Sequence, residues 1–412
     1  MQFCFYKNAR YFINYMNIEE IKNNCDIYLD SNMKELWEIS KYIHSNPELA
    51  FNESKACEAM TTFLEKEGFQ VKKGLGKLET AFNAEFTHEK GDTVIAVLAE
   101  YDALPGIGHA CGHNLIACSA LGTAIELKKI MIDANLKGTL RIIGTPAEED
   151  GGGKIILLNS GEFENVDAVF LLHPTSGVTR IAGECMSSTD FEIEFIGKSA
   201  HAGAHPEDGV NALDAATLFY SGIAMMRQQL KVNSKMSFIF KDGGNTTSLI
   251  PDHASVLCNA YSFNYKDLHK LNMRIKMCAK GIALATGCEV NILENPGYAG
   301  RIPNEILSNH IKKELIKIEE PIMDGMPFDY GGEDLGDISR HIPICNLYVT
   351  IFDEHKISNH TDQFRELAIS PSGFRCIQVG SKAMSRAAGE LFLHPEIIEY
   401  AKNELEERLK NE

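Results

Sequence analysis

The sequence predicts an α/β protein: a larger domain with a mostly parallel sheet flanked by helices, carrying an inserted α+β domain. Three observations predict it. Short, nearly continuous apolar runs alternate with helix-spaced segments through the first half of the chain, the order that gives a parallel sheet wrapped by helices. From Ser187 the order becomes strand, helix, strand, strand, helix, strand, the split βαβ arrangement of a ferredoxin-like unit. After about residue 298 a further strand and a long helix follow, so the chain returns to the first domain. At 412 residues it is also too long for one small domain.

Each element has a local reason. Asn32 to Ile43 and Glu53 to Glu67 space their apolar residues as helices, and Gly68 stops the second. Thr93 to Ala99, Thr139 to Gly144 and Val166 to Leu172 read as strands covered on both faces, with helices at about Asn114 to Ile132 and Gly152 to Asn159 between them. In the insert, Thr189 to Ile196 alternates as a half-exposed strand and Gly209 to Leu230 reads as a long helix. Strands follow at Lys235 to Phe240 and Ala254 to Phe263, then a helix at Tyr265 to Ala285 and a strand at Glu289 to Leu293. Pro303-Asn304 starts a helix, Ile344 to Val349 is a strand, Ser370 to Phe392 is the final long helix, and the charged tail reads as a solvated helix end. The expected boundaries are 16–185 with 299–412 for the larger domain, 186–298 for the inserted α+β domain, and 1–15 for an extension.

Composition narrows the function. Forty Lys and Arg against fifty-seven Asp and Glu give a net charge of −17, which argues against nucleic acid and against anionic lipid. No apolar run reaches the ~18 residues of a membrane helix. The eleven cysteines are odd in number and form no C-x-x-C pair, so a reducing cytoplasm is expected rather than a disulfide framework. Lys7, Asn8 and Arg10 interrupt any signal-peptide core in the first fifteen residues.

The chemistry gathers at strand ends. The strand ending at Ala99 runs into Glu100-Tyr101-Asp102. The one ending at Gly144 runs into Thr145-Pro146-Ala147-Glu148-Glu149, and the one ending at Leu172 into His173. Ligands of open α/β sheets bind beyond the carboxyl ends of the strands, so these clusters are expected to converge. His109, Cys111 and His113 stand at steps of two before a helix, and with the carboxylates they form a donor set suited to Zn²⁺, other late divalent ions or Mn²⁺. Glu148 and Glu149 point apart, so one carboxylate can bind metal while the other takes a proton from an activated water. Gly151-Gly152-Gly153-Lys154 lacks the spacing and the Ser/Thr of a phosphate loop.

Several ordered motifs carry a resemblance: Asn46 to Leu49, Tyr101 to Pro105, His109 to Asn114, Thr145 to Glu149, Ser199 to Gly203 and His360 to Asp362. Together they resemble the dinuclear-metal aminoacylase/carboxypeptidase family of amidohydrolases. The likeness is to its Cys-containing branch of hippurate, auxin-conjugate and p-aminobenzoyl-glutamate hydrolases. Pro206 to Asp214, Met226 to Gln229 and Gly331 to Asp337 point within that branch to dipeptidases acting on β-alanyl-lysine. The resemblance implies two divalent ions (Zn, Mn, Co or Ni) held by Cys111, His113, Glu149, His173 and His360. It also implies Glu148 as general base and Asp102 as the carboxylate that orients a ligand imidazole. His201 would reach the site of the partner subunit to stabilise the oxyanion, in a homodimer formed through the inserted domain. Ser248 stands where family members commonly carry Asn, which leaves Asn245 and Arg301 as candidates for the substrate carboxylate. The expected reaction is hydrolysis of an amide bond in a small N-acyl amino acid or dipeptide. Two rival readings stand beside it: a thiol hydrolase with Cys111 as nucleophile and His109 or His113 as base, and a non-catalytic partner of such an enzyme.

Overall fold

The structure, a computed structural model, describes residues 2–354 and 356–411, with side chains from residue 18 onward. The expected extension over 1–15 lies outside the residues whose side chains are described. The chain divides into two compact units. One runs to Gly183 and takes in Ile302–Phe328 and Asp337–Asn411; the other comprises Glu184–Arg301 and Asp329–Gly336. The Asp329–Gly336 segment thus belongs with the inserted unit, whereas the sequence placed it with the larger one.

The first unit opens on α1 (Gln2–Ser45) and α2 (Ser54–Lys66), followed by β1 (Gln70–Lys73), β2 (Phe82–His88) and β3 (Val94–Ala99). Then come α3 (His113–Asp133), β4 (Gly138–Gly144), α4 (Gly153–Asn159), β5 (Ala168–Thr175) and β6 (Arg180–Ile181). The second unit contributes β7 (Ser187–Ile196), α5 (Ala212–Met226), β8 (Ser234–Asp242), β9 (His253–Ser262), α6 (Tyr265–Thr286) and β10 (Glu289–Pro296). The chain closes with α7 (Glu305–Lys317), α8 (Leu335–Ser339), β11 (Ile344–Thr350), α9 (Asp362–Leu367), α10 (Pro371–Leu393) and α11 (Glu396–Asn411).

Seven strands form the first sheet in the order β1-β2-β4-β3-β5-β11-β6. The central four run parallel, as their unbroken apolar runs require, while β1, β2 and β6 add antiparallel edges. Those edges escape the sequence reading because β1 and β6 are only four and two residues long and largely polar. Helix α3 is buried along most of its length between sheet and helices: Leu115, Ala117, Leu121 and Ala124 join Leu36, Ile377, Met384 and Ala388 in one core. The second sheet has the order β10-β7-β9-β8, wholly antiparallel, with α5 and α6 packed on its Phe191, Phe195 and Val256 face. That is the split βαβ unit read from the sequence.

Four boundaries differ. Helix α1 is far longer than the expected 32–43 segment, and Ile18, Cys25 and Leu29 bury its earlier turns. Strand β5 continues past Leu172 to Thr175 because β11 pairs alongside it, so His173 lies inside the strand opposite Tyr348. Helix α5 starts at Ala212, where the Asn211 side chain accepts hydrogen bonds from the N–H groups of Leu213 and Asp214. The tail is a separate helix, α11, that buries Ile397, Ile398, Ala401 and Leu405, so α10 is not the last element.

Candidate metal centre

Three parallel strands deliver the site. The turn after β3 carries Asp102, the turn after β4 carries Glu148 and Glu149, β5 holds His173, the segment leading into α3 carries Cys111, and His113 is the first residue of α3. Gly112 sits at φ 79°, and a Cβ there would lie 2.6 Å from the Pro174 ring, so only glycine permits this approach of α3 to β5. His360, just before α9, reaches the same place through its backbone: its N–H donates to the Ala110 carbonyl at 2.9 Å.

Six of these side chains converge. Donor atoms of Cys111, His113 and His173 lie within 4.8 Å of one another, as do those of Cys111, Glu149 and His360, and those of His113, Glu148 and Glu149. Cys111 Sγ stands 3.4 Å from His173 Nε2 and accepts from the Asn359 amide at 3.5 Å. Glu149 Oε1 lies 3.3 Å from His360 Nε2 and 3.6 Å from His113 Nε2. Glu148 stands slightly apart, its Oε2 3.9 Å from His113 Nε2.

Asp102 organises two of these groups. Its Oδ1 takes the His113 Nδ1–H at 2.9 Å and its Oδ2 takes the Glu149 backbone N–H at 2.9 Å. Burial opposes its ionisation, but His113 and these hydrogen bonds outweigh that and hold the carboxyl below its usual range. The imidazole is thereby fixed with Nε2 toward the centre. His173 is fixed in the same sense, because its Nδ1–H donates to the Pro174 carbonyl at 2.7 Å.

Whether these residues suit divalent cations is answered by their unsatisfied atoms. His113 Nε2 and Glu149 Oε1 are buried and have no hydrogen-bond partner among the described residues, a costly arrangement unless another ligand meets them. Two imidazole nitrogens, a thiol and a carboxylate, with His360 at the rim, form the mixed N/O/S set that late divalent ions favour. Burial and the nearby Glu149 and Glu148 push the Cys111 thiol up to about 12. That counts against a free thiolate nucleophile; a bound cation would have to displace the thiol proton. His109, the other base proposed for a thiol mechanism, is buried and held neutral, down to about 3, by burial and the neighbouring His113 and His44.

Three expected residues lie in the second unit. His201 is exposed, and its Nδ1 accepts from the N–H groups of Gly203 at 3.2 Å and Ala204 at 3.1 Å. In the neutral ring the proton therefore resides on Nε2, the donor atom of an exposed side chain. Asn245 is exposed in the loop between β8 and β9. Arg301 is completely buried and already faces two carboxylates, Glu333 and Asp329.

Residue-by-residue reading missed four contributors. Glu53 accepts from the Ala147 N–H at 2.9 Å and from Thr80 Oγ1 at 2.8 Å. It holds the turn in which Ala147 adopts a left-handed φ of 60° immediately before Glu148. Asn359 touches Cys111, and Glu100 and Lys154 form a buried ion pair at 2.7 Å behind His113. Only Glu100 carried a signal, its place at a strand end.

Residues 92–378 match peptidase family M20/M25/M40. The chain belongs to this family. Like that family, it is a hydrolase of amide bonds. Among its relatives is a Xaa-Arg dipeptidase of Mus musculus, 34% identical over 96% of this chain and 94% of that one. One of the subunits of the p-aminobenzoyl-glutamate hydrolase of Escherichia coli is 29% identical over 74% of this chain and 66% of its own length. A dinuclear metal binding peptidase from Bacillus subtilis shares the fold, with a TM-score of 0.72 at 23% identity, over 88% of this chain and 99% of that one.

Proposed function

We propose that this family member is a cytoplasmic, dinuclear metal-dependent dipeptidase, homodimeric through its inserted unit, that cleaves dipeptides or related N-acyl amino acids, with basic C-terminal residues first among them. The observation that carries the reading is the convergence of Cys111, His113, Glu149, His173 and His360 around unsatisfied donor atoms, with Glu148 beside them. The dipeptidase relative, similar along almost the whole chain, supports the substrate class.

Divalent ions held by those five residues would supply Lewis acidity, polarising the scissile carbonyl and making water acidic enough to attack at neutral pH. Glu148, half-buried and outside the ligand set, takes the proton from the attacking water and delivers it to the leaving amine. Asp102 keeps His113 and Glu149 in place while charge shifts. His201, with its Nε2–H, donates to the developing oxyanion in the site of a second copy, a contact of a kind worth roughly 3–4 kcal/mol. Asn245 meets the substrate carboxylate. Arg301, paired with Glu333 and Asp329, fixes Asp329–Gly336 within the second unit instead of meeting the substrate.

Support for the dimer comes from the second unit. Its edge strand β8 leaves Ile239 62% exposed, and α5 leaves Leu218 and Met225, seven residues apart on one face, 51% and 76% exposed. Unpaired edges with apolar side chains are unusual unless covered. The ten cysteines whose side chains are described are all free, in keeping with a reducing compartment. Among the described residues no helix is long and apolar enough to cross a membrane.

The test is metal analysis of the purified protein, followed by a screen of dipeptides ending in Arg or Lys, acyl amino acids and p-aminobenzoyl-glutamate. Activity should vanish on chelation and return with Mn²⁺, Co²⁺ or Zn²⁺. Glu148→Ala should lower kcat by at least about a thousandfold with metal content unchanged. Hydrolysis that survives exhaustive chelation but not thiol alkylation would return the chemistry to Cys111.

A further inference from the structure

Glu100 and Lys154 are buried, charged and unused by the mechanism above. Glu100 directly follows β3, and Lys154 lies in the first turn of α4. Lys154 is 0% exposed and Glu100 2%, so neither charge is relieved by water. The Lys154 ammonium lies 2.7 Å from Glu100 Oε1, and the other oxygen, Oε2, lies 3.7 Å from His113 Nε2. That nitrogen is the one Asp102 leaves facing the metal centre. A carboxylate so placed, unrestrained, is a hard anionic donor one short movement from any cation that His113 holds.

The backbone that delivers Lys154 is built for close approach. Gly152 adopts a left-handed φ of 65° at the start of α4, and a Cβ on Gly153 would lie 1.8 Å from the Pro146 carbonyl oxygen. The triple glycine is therefore the device that pulls the helix onto the Glu148 turn and carries the lysine inward. This gives the Gly151-Gly152-Gly153-Lys154 run a purpose other than phosphate binding.

We propose that Lys154 is a fixed internal cation that engages Glu100, keeps that carboxylate out of the coordination sphere and sets how tightly the centre holds its divalent ions. The proposal rests on the metal-centre reading above and deepens it. Removing a positive charge a few ångströms behind a cation site strengthens cation binding, and removing a negative one weakens it. A lysine with a merely structural role would do the reverse, since its loss would loosen the site.

The experiment measures Mn²⁺ and Zn²⁺ dissociation constants by chelator competition, and the melting temperature with and without metal. The proteins compared are full-length wild type, Lys154→Met, Glu100→Gln and the double variant. Lys154→Met should bind Mn²⁺ at least about tenfold more tightly. Its metal-free form should melt lower, because Glu100 is left buried without its partner, and added Mn²⁺ should raise its melting temperature by more than in wild type. Glu100→Gln should bind more weakly, and the double variant should return to within about threefold of wild type. A folded Lys154→Met protein whose Mn²⁺ affinity is unchanged or lower overturns the proposal. So does a double variant that binds no more weakly than Lys154→Met alone. Wild-type protein that takes up neither ion overturns the metal-centre reading itself and this proposal with it.

Discussion

Glu53 shows how a single buried carboxylate can govern a reacting group it does not touch. Its two oxygens collect N–H groups from Phe51 and Ala147 and the hydroxyl of Thr80, so one side chain ties the start of α2 to the turn that carries Glu148. Ala147 has no glycine-like freedom at φ 60°, and its conformation persists because the turn around it is held. Glu53→Ala should cost about 1–3 kcal/mol in stability. It should also reduce kcat more than it raises KM, because what it loosens is the position of the base. Glu53→Gln keeps one carbonyl acceptor and should recover much of both, which denaturant unfolding and steady-state kinetics on the same preparations will show.

Glu126 makes a different prediction. It is wholly buried on α3, and burial first, then the nearby Asp26, push its carboxyl well above the ordinary value of 4.5. The folded chain therefore keeps a proton that the unfolded chain has released. Stability is unaffected well below pH 4.5 and falls as pH rises from there toward the folded-state value. Glu126→Gln removes that dependence. Its melting temperature should match wild type in acid and exceed it by a margin that widens as pH rises above 4.5. A constant difference across the range would mean that Glu126 is ionised in the fold.

At the scale of elements, α3 is the organiser, and its packing is unusually close. A Cβ on Gly122 would stand 2.2 Å from Ser381 Oγ and 2.9 Å from its Cβ, so the α3 backbone there packs directly against the Ser381 side chain of α10. Gly122→Ala should therefore destabilise by about 1–3 kcal/mol, despite the better helix propensity of alanine, and chemical denaturation gives that number directly. The central strands and α3 are legible in the sequence because burial on every side leaves an unmistakable apolar run. So are Glu148, Glu149 and His173, which follow such runs, and Cys111 and His113, which stand two apart in a glycine-rich turn before a helix. The early turns of α1 are less legible, because that helix buries Lys22 among Glu19, Glu314 and Glu390 and so lacks a clean apolar face. His360 and Asn359 are beyond any local pattern. They meet Cys111 across about 250 residues of chain, so only the family resemblance could nominate His360, and nothing nominated Asn359. Lys154 and Glu53 look like surface residues until the fold buries them.

For the whole molecule, the sharpest consequence concerns the copy number needed for a working site. If His201 serves the partner subunit, then Glu148→Ala and His201→Ala each inactivate the homodimer, but by damaging different halves of one composite site. In a heterodimer of the two variants, one site takes the intact Glu148 of one subunit and the intact His201 of the other, while the second site has neither. Random mixing makes half the dimers heterodimers, each with one good site, so about a quarter of wild-type activity should return. Mixing must follow dissociation, for which substitution of the exposed β8 side chain Ile239 by Asp offers a control: it should yield monomers by light scattering, and those monomers should be inactive even with Glu148 and His201 both present. A quarter of the activity from the mixture, and none from the monomer, would tie catalysis to the second copy. If the mixed variants stay dead while the Ile239→Asp monomer remains active, each subunit works alone, and His201 must then act within its own chain or not at all.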